Sequence, residues 1–165
     1  MVSIIVAMDE KRGIGKDNKI PWHIKEDLIR LKNLTKDHVV ILGRKTYDSM
    51  NWYYNRSGNP MPAKLYIVVT RDESYKPERE NARTAHSLEE ALKVAGSEDV
   101  YILGGGQIFA EALEKNLVDR LDIMKVEGDF EADTFFPDYS SFHKVISEEE
   151  QQNENYKFKF LTLEK

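Results

Sequence analysis

Asp27 stands three residues after Ile24 and four before Leu31, on the edge of an apolar stripe, with Glu26 about 100° away on the solvated side. A half-buried carboxylate has a raised pKa unless a cation or hydrogen-bond donor meets it, which suits it to acid–base work. The plainer alternative is a first-turn acid that favours the helix dipole, and position alone does not choose between the two. Upstream runs a polar loop with two glycines, Gly13-Ile14-Gly15-Lys16-Asp17-Asn18-Lys19-Ile20, which ends in Pro21-Trp22 and leads into the helix that carries Asp27. A mobile loop beside a carboxylate is suited to closing over a small molecule and excluding water.

Three other segments suggest an anion. Leu103-Gly104-Gly105-Gly106-Gln107 reads as strand, glycines, helix. Glycines let backbone amides approach a ligand, and a helix N-terminus favours phosphate. The pattern matches neither of the common nucleotide-binding fingerprints, so a tight turn packed on the sheet is the competing reading. Leu42-Gly43-Arg44-Lys45-Thr46 places two cations and a hydroxyl at another strand-to-helix junction, against the dipole preference unless an anion binds there. Thr70-Arg71 ends a third strand with a hydroxyl and a cation. Each alone is an ordinary surface charge; three on one sheet rim suit a dinucleotide with an extra phosphate. His23, His38, His86 and His143 lack metal-ligand spacing and read as structural or surface residues, so no metal site is expected.

The elements that position these groups follow from hydrophobic period. Val2–Met8, His38–Leu42, Leu65–Thr70, Asp99–Leu103 and Arg120–Val126 are β-branched runs without polar alternation, as in strands covered on both faces. Ile24, Leu28, Leu31 and Leu34/Thr35 recur with helical period, Ser87-Leu88-Glu89-Glu90 opens a capped helix closed at Gly96, and Ile108–Leu113 forms a third. His143–Glu149 and Tyr156–Leu163 alternate as an antiparallel hairpin at the sheet edge. The expected fold is a three-layer α/β domain over residues 1–165 with a mostly parallel sheet. Asn51–Pro62 is the most linker-like stretch, although Trp52, Tyr53 and Tyr54 argue for a packed surface excursion. Asp72–Asn81 reads as an exposed loop.

Composition narrows the classes. The chain has 165 residues and a formal charge of −5, which suits one domain and disfavours nucleic-acid binding. With no cysteine, disulfides, thiolate zinc sites and thiol catalysis are excluded. The N-terminus reads as a buried strand rather than a signal peptide, and no apolar run reaches the ~20 residues of a membrane span. A cytoplasmic location is expected.

Six segments together resemble dihydrofolate reductase of the bacterial type, in order and spacing: Ile14-Gly15 with Pro21-Trp22; Asp27-Leu28; Gly43-Arg44-Lys45-Thr46-Tyr47 with Ser49; Ile67–Arg71; Leu103–Phe109; and Asp133-Thr134-Phe135-Phe136-Pro137. The resemblance implies an eight-stranded sheet with an antiparallel C-terminal edge and about four helices, and NADPH-dependent reduction of 7,8-dihydrofolate. It implies that Asp27 holds the pterin and supports protonation of N5, with Trp22 and Ile20 beside the reacting rings. Ile5, Ala7, Leu28, Leu31, Met50, Lys64, Leu103 and Phe109 are then expected around the substrate. Ala7, Ile14, Gly15, Gly43, Arg44, Lys45, Thr46, Thr70, Arg71, Leu103, Gly104, Gly105, Gly106, Gln107 and Ile108 are expected around NADPH. The Gly15–Ile20 loop would close over the nicotinamide, tethered by Asp133. Antifolate inhibitors would share the substrate site, and a monomer is expected.

Three departures stand out. Lys64 occupies the place of an arginine that clamps the substrate carboxylate, keeping the charge without the fork. Met124 occupies the place of a threonine that backs the acid, so a less oriented, more desolvated Asp27 is expected. Asn51–Gly58 reads as an insertion near the cleft mouth. A pyrimidine reductase of the riboflavin pathway shares the fold, and Asp27 after Pro-Trp favours the folate enzyme. A nucleotide-binding module without catalysis would bind NADPH and turn over no pterin.

Overall fold

The unbroken Val and Ile runs become the centre of a sheet. In the computed structural model, which describes residues 1–165, the chain runs β1 (Val2–Met8), β2 (Gly13–Gly15), α1 (Lys25–Thr35), β3 (Val39–Gly43), α2 (Arg44–Ser57), β4 (Leu65–Val69), β5 (Ala82–Ala85) and α3 (Leu88–Ala95). It continues through β6 (Val100–Ile102), α4 (Gly106–Glu114), β7 (Arg120–Val126), β8 (Thr134–Phe135), β9 (Lys144–Gln152) and β10 (Lys157–Glu164). Eight strands form one sheet in the order β5-β4-β3-β6-β1-β7-β10-β9, while β2 pairs separately with β8. Neighbours from β5 to β7 are parallel, and β10 runs antiparallel to both β7 and β9. The expected eight-stranded, mostly parallel sheet with an antiparallel C-terminal edge and four helices is therefore what forms.

Strand period sorts the side chains between the two faces. Ile4, Val6, Met8, Ile41, Ile67, Ile102 and Ile123 point to the face under α3 and α4, where Leu88, Ala91, Ile108 and Phe109 complete a cluster of 21 buried residues. Each such aliphatic side chain contributes ~1.5–3 kcal/mol of burial. The opposite face is divided. Val40, Leu42, Tyr66 and Val68 pack with Tyr47 of α2, whereas Met124, Val126 and Phe158 pack with Trp22 and Ile24 at the entry to α1. Ile5 is buried at 5% exposure yet belongs to neither group. The central strand β1 thus lies between two packed blocks, and the half-buried Ala7, Met50 and Leu103 mark the cleft between them.

Several expectations change. Asn51–Ser57 is neither linker nor excursion but the second half of α2, which ends at Gly58 in the left-handed conformation (φ 75°). No proline or glycine interrupts Arg44–Ser57, so the stretch continues the helix, with Tyr54 against the core and Trp52 and Tyr53 exposed. In α1, Leu28 is 38% exposed rather than on a buried stripe, and Arg30 faces inward in its place. The short strands β2, β5 and β8 have too few residues to show a period and are seen only through their partners. The α3 cap forms as expected, with Glu90 N donating to Ser87 Oγ at 3.0 Å; Glu90 Oε2 in turn accepts from His86 N at 2.8 Å.

Candidate active site

The glycine turn and two helix starts meet at the carboxyl ends of the parallel strands. Gly43 N donates to Gly104 O at 2.7 Å, joining the β3–α2 junction to the β6–α4 turn. Gly104 has φ 104° and a Cβ there would lie 2.8 Å from the Phe109 ring; at Gly43 it would lie 3.2 Å from Ile108 Cδ1. At Gly104 only glycine avoids the clash and takes this backbone angle, whereas at Gly43 the Ile108 methyl would have to give by a few tenths of an ångström. Neither α2 nor α4 has a side-chain cap or an acid in its first turn, whereas α3 has Ser87, Glu89 and Glu90. Two uncapped helix starts with open amides side by side form a cradle that fits the phosphates of a dinucleotide. Among the rim cations, Lys45 and Arg71 are exposed and carry no ion pair. Arg44, by contrast, is bound by Asp72 at 2.9 Å and Asp48 at 3.6 Å and lies 4.4 Å over the Tyr75 ring. Thr70 Oγ1 accepts from Asp72 N at 3.2 Å. A phosphate reaching Arg44 therefore competes with two carboxylates.

Asp27 occupies the cleft. Its side chain is 19% exposed, and Arg30, one turn along α1 and 14% exposed, donates Nε and Nη2 to the same oxygen, Oδ1, at 3.3 and 3.1 Å. Burial pushes the Asp27 pKa up, and the Arg30 charge and hydrogen bonds oppose that rise. The expected desolvation of Asp27 is present, whereas the expected lack of a partner is corrected: the Met124 side chain donates nothing, but Arg30 donates twice to Oδ1. The i,i+3 spacing on one helix was the available signal. On the same face of β7, Asp122 is 7% exposed and accepts from Thr162 Oγ1 at 3.1 Å; its pKa is likewise raised, mainly by burial.

The loop before α1 is held from below and from the side. Asp9, fully buried after β1, accepts from Gly13 N at 2.7 Å, Lys11 N at 2.9 Å and Phe130 N at 3.1 Å. A Cβ on Gly13 would lie 2.5 Å from that of Ala132, so this residue too is glycine by contact. Asp133 Oδ2 accepts from Asp17 N at 2.9 Å, and Asp133 N donates to Gly15 O at 2.9 Å. The Asp17 contact is the largest cause of a lowered Asp133 pKa. Trp22 is 6% exposed and meets the Phe130 ring edge-on at 5.2 Å, while Ile20 at the loop tip is 60% exposed.

The sequence-predicted residues divide by location. Ile5, Ala7, Leu103 and Met50 belong to the divided face, Asp27 and the half-buried Leu31 lie on α1, and Leu28 is open to solvent beside Asp27. Ile14, Gly15, Gly104, Gly105, Gly106, Gln107 and Ile108 gather at the turn; a Cβ on Gly106 would come within 3.9 Å of Ile14 and one on Gly105 within 3.6 Å of Thr46 Oγ1. Phe109 is set apart: it is 4% exposed in the opposite core, under Gly104 and 5.2 Å from the Phe136 ring. Lys64 precedes β4, at the other end of the strands from the glycine turn, and pairs with Glu98 at 2.8 Å. Sequence reasoning missed Asp9, Arg30 and Asp122, three charged residues that the fold buries or pairs.

Comparison with known proteins agrees with this geometry. The dihydrofolate reductase family model matches residues 1–165. The Bacillus subtilis dihydrofolate reductase is 36% identical over 170 aligned positions, covering all of this chain and 95% of its own. The Staphylococcus haemolyticus enzyme is 42% identical over 137 residues, covering 82% of this chain and 76% of its own. The structure of dihydrofolate reductase from Enterococcus faecalis, complexed with NADP(H) and RAB-propyl, superposes with a TM-score of 0.82 at 30% identity, covering 99% of this chain and 95% of its own. With the whole chain matched and the strand order, glycine cradle and cleft acid in place, the chain belongs to the dihydrofolate reductase family of NADPH-dependent oxidoreductases.

Proposed function

We propose that residues 1–165 act as one monomeric, cytoplasmic domain that reduces 7,8-dihydrofolate to tetrahydrofolate at the expense of NADPH. The observation that carries this reading is a carboxylate, Asp27, set in a cleft between two packed blocks beside a phosphate cradle. NADPH, when bound, supplies the hydride that C6 of the pterin accepts, while N5 takes a proton. Asp27 holds the pterin through its 2-amino group and N3 and supports that proton transfer through water. The uncapped starts of α2 and α4 hold the pyrophosphate, and Lys45, Arg71, Thr70 and a released Arg44 select the extra phosphate of NADPH. Ile5, Leu28, Leu31 and Met50 cover the pterin and benzoyl rings, with Lys64 reaching the substrate carboxylate at the far rim. The Gly15–Ile20 loop closes over the cleft and excludes water, and Asp133 steadies it.

Loss of reduced-nicotinamide absorbance with NADPH and dihydrofolate, beside an Asp27→Asn control, tests the reading. Turnover that collapses in the variant supports it. NADPH binding with no dihydrofolate turnover would refute the substrate assignment.

A further inference from the structure

Arg30 is unusual for a residue in an apolar cleft. Its side chain is 14% exposed, its guanidinium carbon lies 5.1 Å from the centroid of the Phe160 ring, and both of its bonds to Asp27 end on Oδ1. Oδ2 accepts nothing from the protein and is not sealed from solvent. Phe160 pairs in register with Met124, and Met124 with Ala7, so the guanidinium lies over the row of the sheet that ends the cleft. An arginine is charged at every accessible pH, so this is a permanent cation beside the acid.

We propose that Arg30 is a positioning residue for Asp27: its guanidinium fixes Oδ1 and acts as a built-in counter-ion, leaving Oδ2 to meet the ligand. The inference rests on the reading of Asp27 as the acid of the reductase. It accounts for Met124, because the support that a hydroxyl on β7 would give comes instead from one turn along α1. Asp122, two residues before Met124 and on the same face, completes the arrangement. Its charge and that of Arg30 attract, and Thr162 holds it in place. The stacked Phe160 ring and the Asp122 charge keep the guanidinium from swinging out to water.

The charged and titratable groups around the pair are few. Arg120 on β7 is bound by Glu164 of β10, with Nη2 at 2.6 Å from Oε2. Tyr101 on β6 has its pKa raised by burial. Glu26 of α1 meets Asn153 at 3.3 Å, and Lys159 of β10 pairs with Glu148 at 3.3 Å. Asp122, held by Thr162 and attracted also by Arg120, is therefore the second carboxylate that Arg30 faces, and Arg30 is the cation paired with Asp27.

The test begins with turnover by the unmutated enzyme and a carbon-detected NMR titration of the Asp27 carboxyl. Arg30→Met and Arg30→Gln are compared with it, NADPH affinity serving as the check that the fold is intact. The expected result is an Asp27 midpoint moved to higher pH by about one pH unit or more in both variants, since an opposite charge a few Å away is worth that much. The pH dependence of kcat/KM should move with it. In the unmutated chain the Arg30 Nε–H resonance should follow the Asp27 midpoint, a readout that needs no variant. An unmoved midpoint in a folded variant, or an Arg30 resonance blind to the Asp27 titration, overturns the proposal. If the unmutated enzyme turns over no dihydrofolate, the functional reading fails while the two NMR readouts still judge the contact.

Discussion

Replacing Asp9 by alanine removes a fully buried carboxylate that three backbone amides share: Gly13 at 2.7 Å, Lys11 at 2.9 Å and Phe130 at 3.1 Å. A hydrogen bond to a charged acceptor is worth ~1.5–3 kcal/mol, and the Gly13 amide would be left buried without a partner. The three bonds share one carboxylate whose own burial opposes folding, so the net loss is ~3–5 kcal/mol, as for other broken buried charged networks. In a domain of this size that lowers Tm by roughly 6–20 °C. Asp9→Asn discriminates the mechanism. It keeps Oδ1 for Lys11 and Gly13 but sets an amide NH2 against the Phe130 N–H, for a loss of ~1–3 kcal/mol. Urea unfolding gives both differences, and amide exchange at Gly13 and Phe130 gives their location. An alanine variant within about 0.5 kcal/mol of the parent, or an asparagine variant as damaged as the alanine one, would refute the reasoning.

Other substitutions probe the remaining parts. Gly104→Ala forces a Cβ to 2.8 Å from the Phe109 ring at φ 104°, so stability should fall by ~2–5 kcal/mol in thermal unfolding and NADPH binding should weaken in titration calorimetry. Asp122 has a folded pKa raised by burial, so the folded state binds more protons than the unfolded one just above the ordinary aspartate range. Stability relative to Asp122→Asn should therefore rise as pH falls through that window and decline as pH rises, which unfolding at a series of pH values measures. Lys64→Arg should lower KM for dihydrofolate roughly 3- to 10-fold by restoring a two-pronged contact, measured in steady-state assays; an unchanged KM would show that the Glu98 pair keeps this position from the substrate.

Much of this protein can be read before any folding is considered, because local period and backbone chemistry speak for themselves. Runs such as Val39–Leu42 and Tyr66–Val68 are buried on both faces and show as unbroken apolar strands. Gly104 is glycine because of its backbone angle and a contact at a turn whose place between strand and helix is legible. Ser87 and Glu90 announce the start of α3. The order of these pieces carried the family. What the sequence leaves open is which charges meet. Asp9 looks like any acid after a strand until Phe130, 121 residues away, donates to it. Arg44 looks free until Asp72 arrives from beyond β4, and Lys64 until Glu98 does. Leu28, expected on the buried stripe, is exposed, and Arg30 turns inward because the sheet under α1 offers an aromatic ring and a buried carboxylate. Hydrophobic period is a property of neighbours along the chain, whereas charge pairing is decided by strand order and register, and only the tertiary structure brings those partners together.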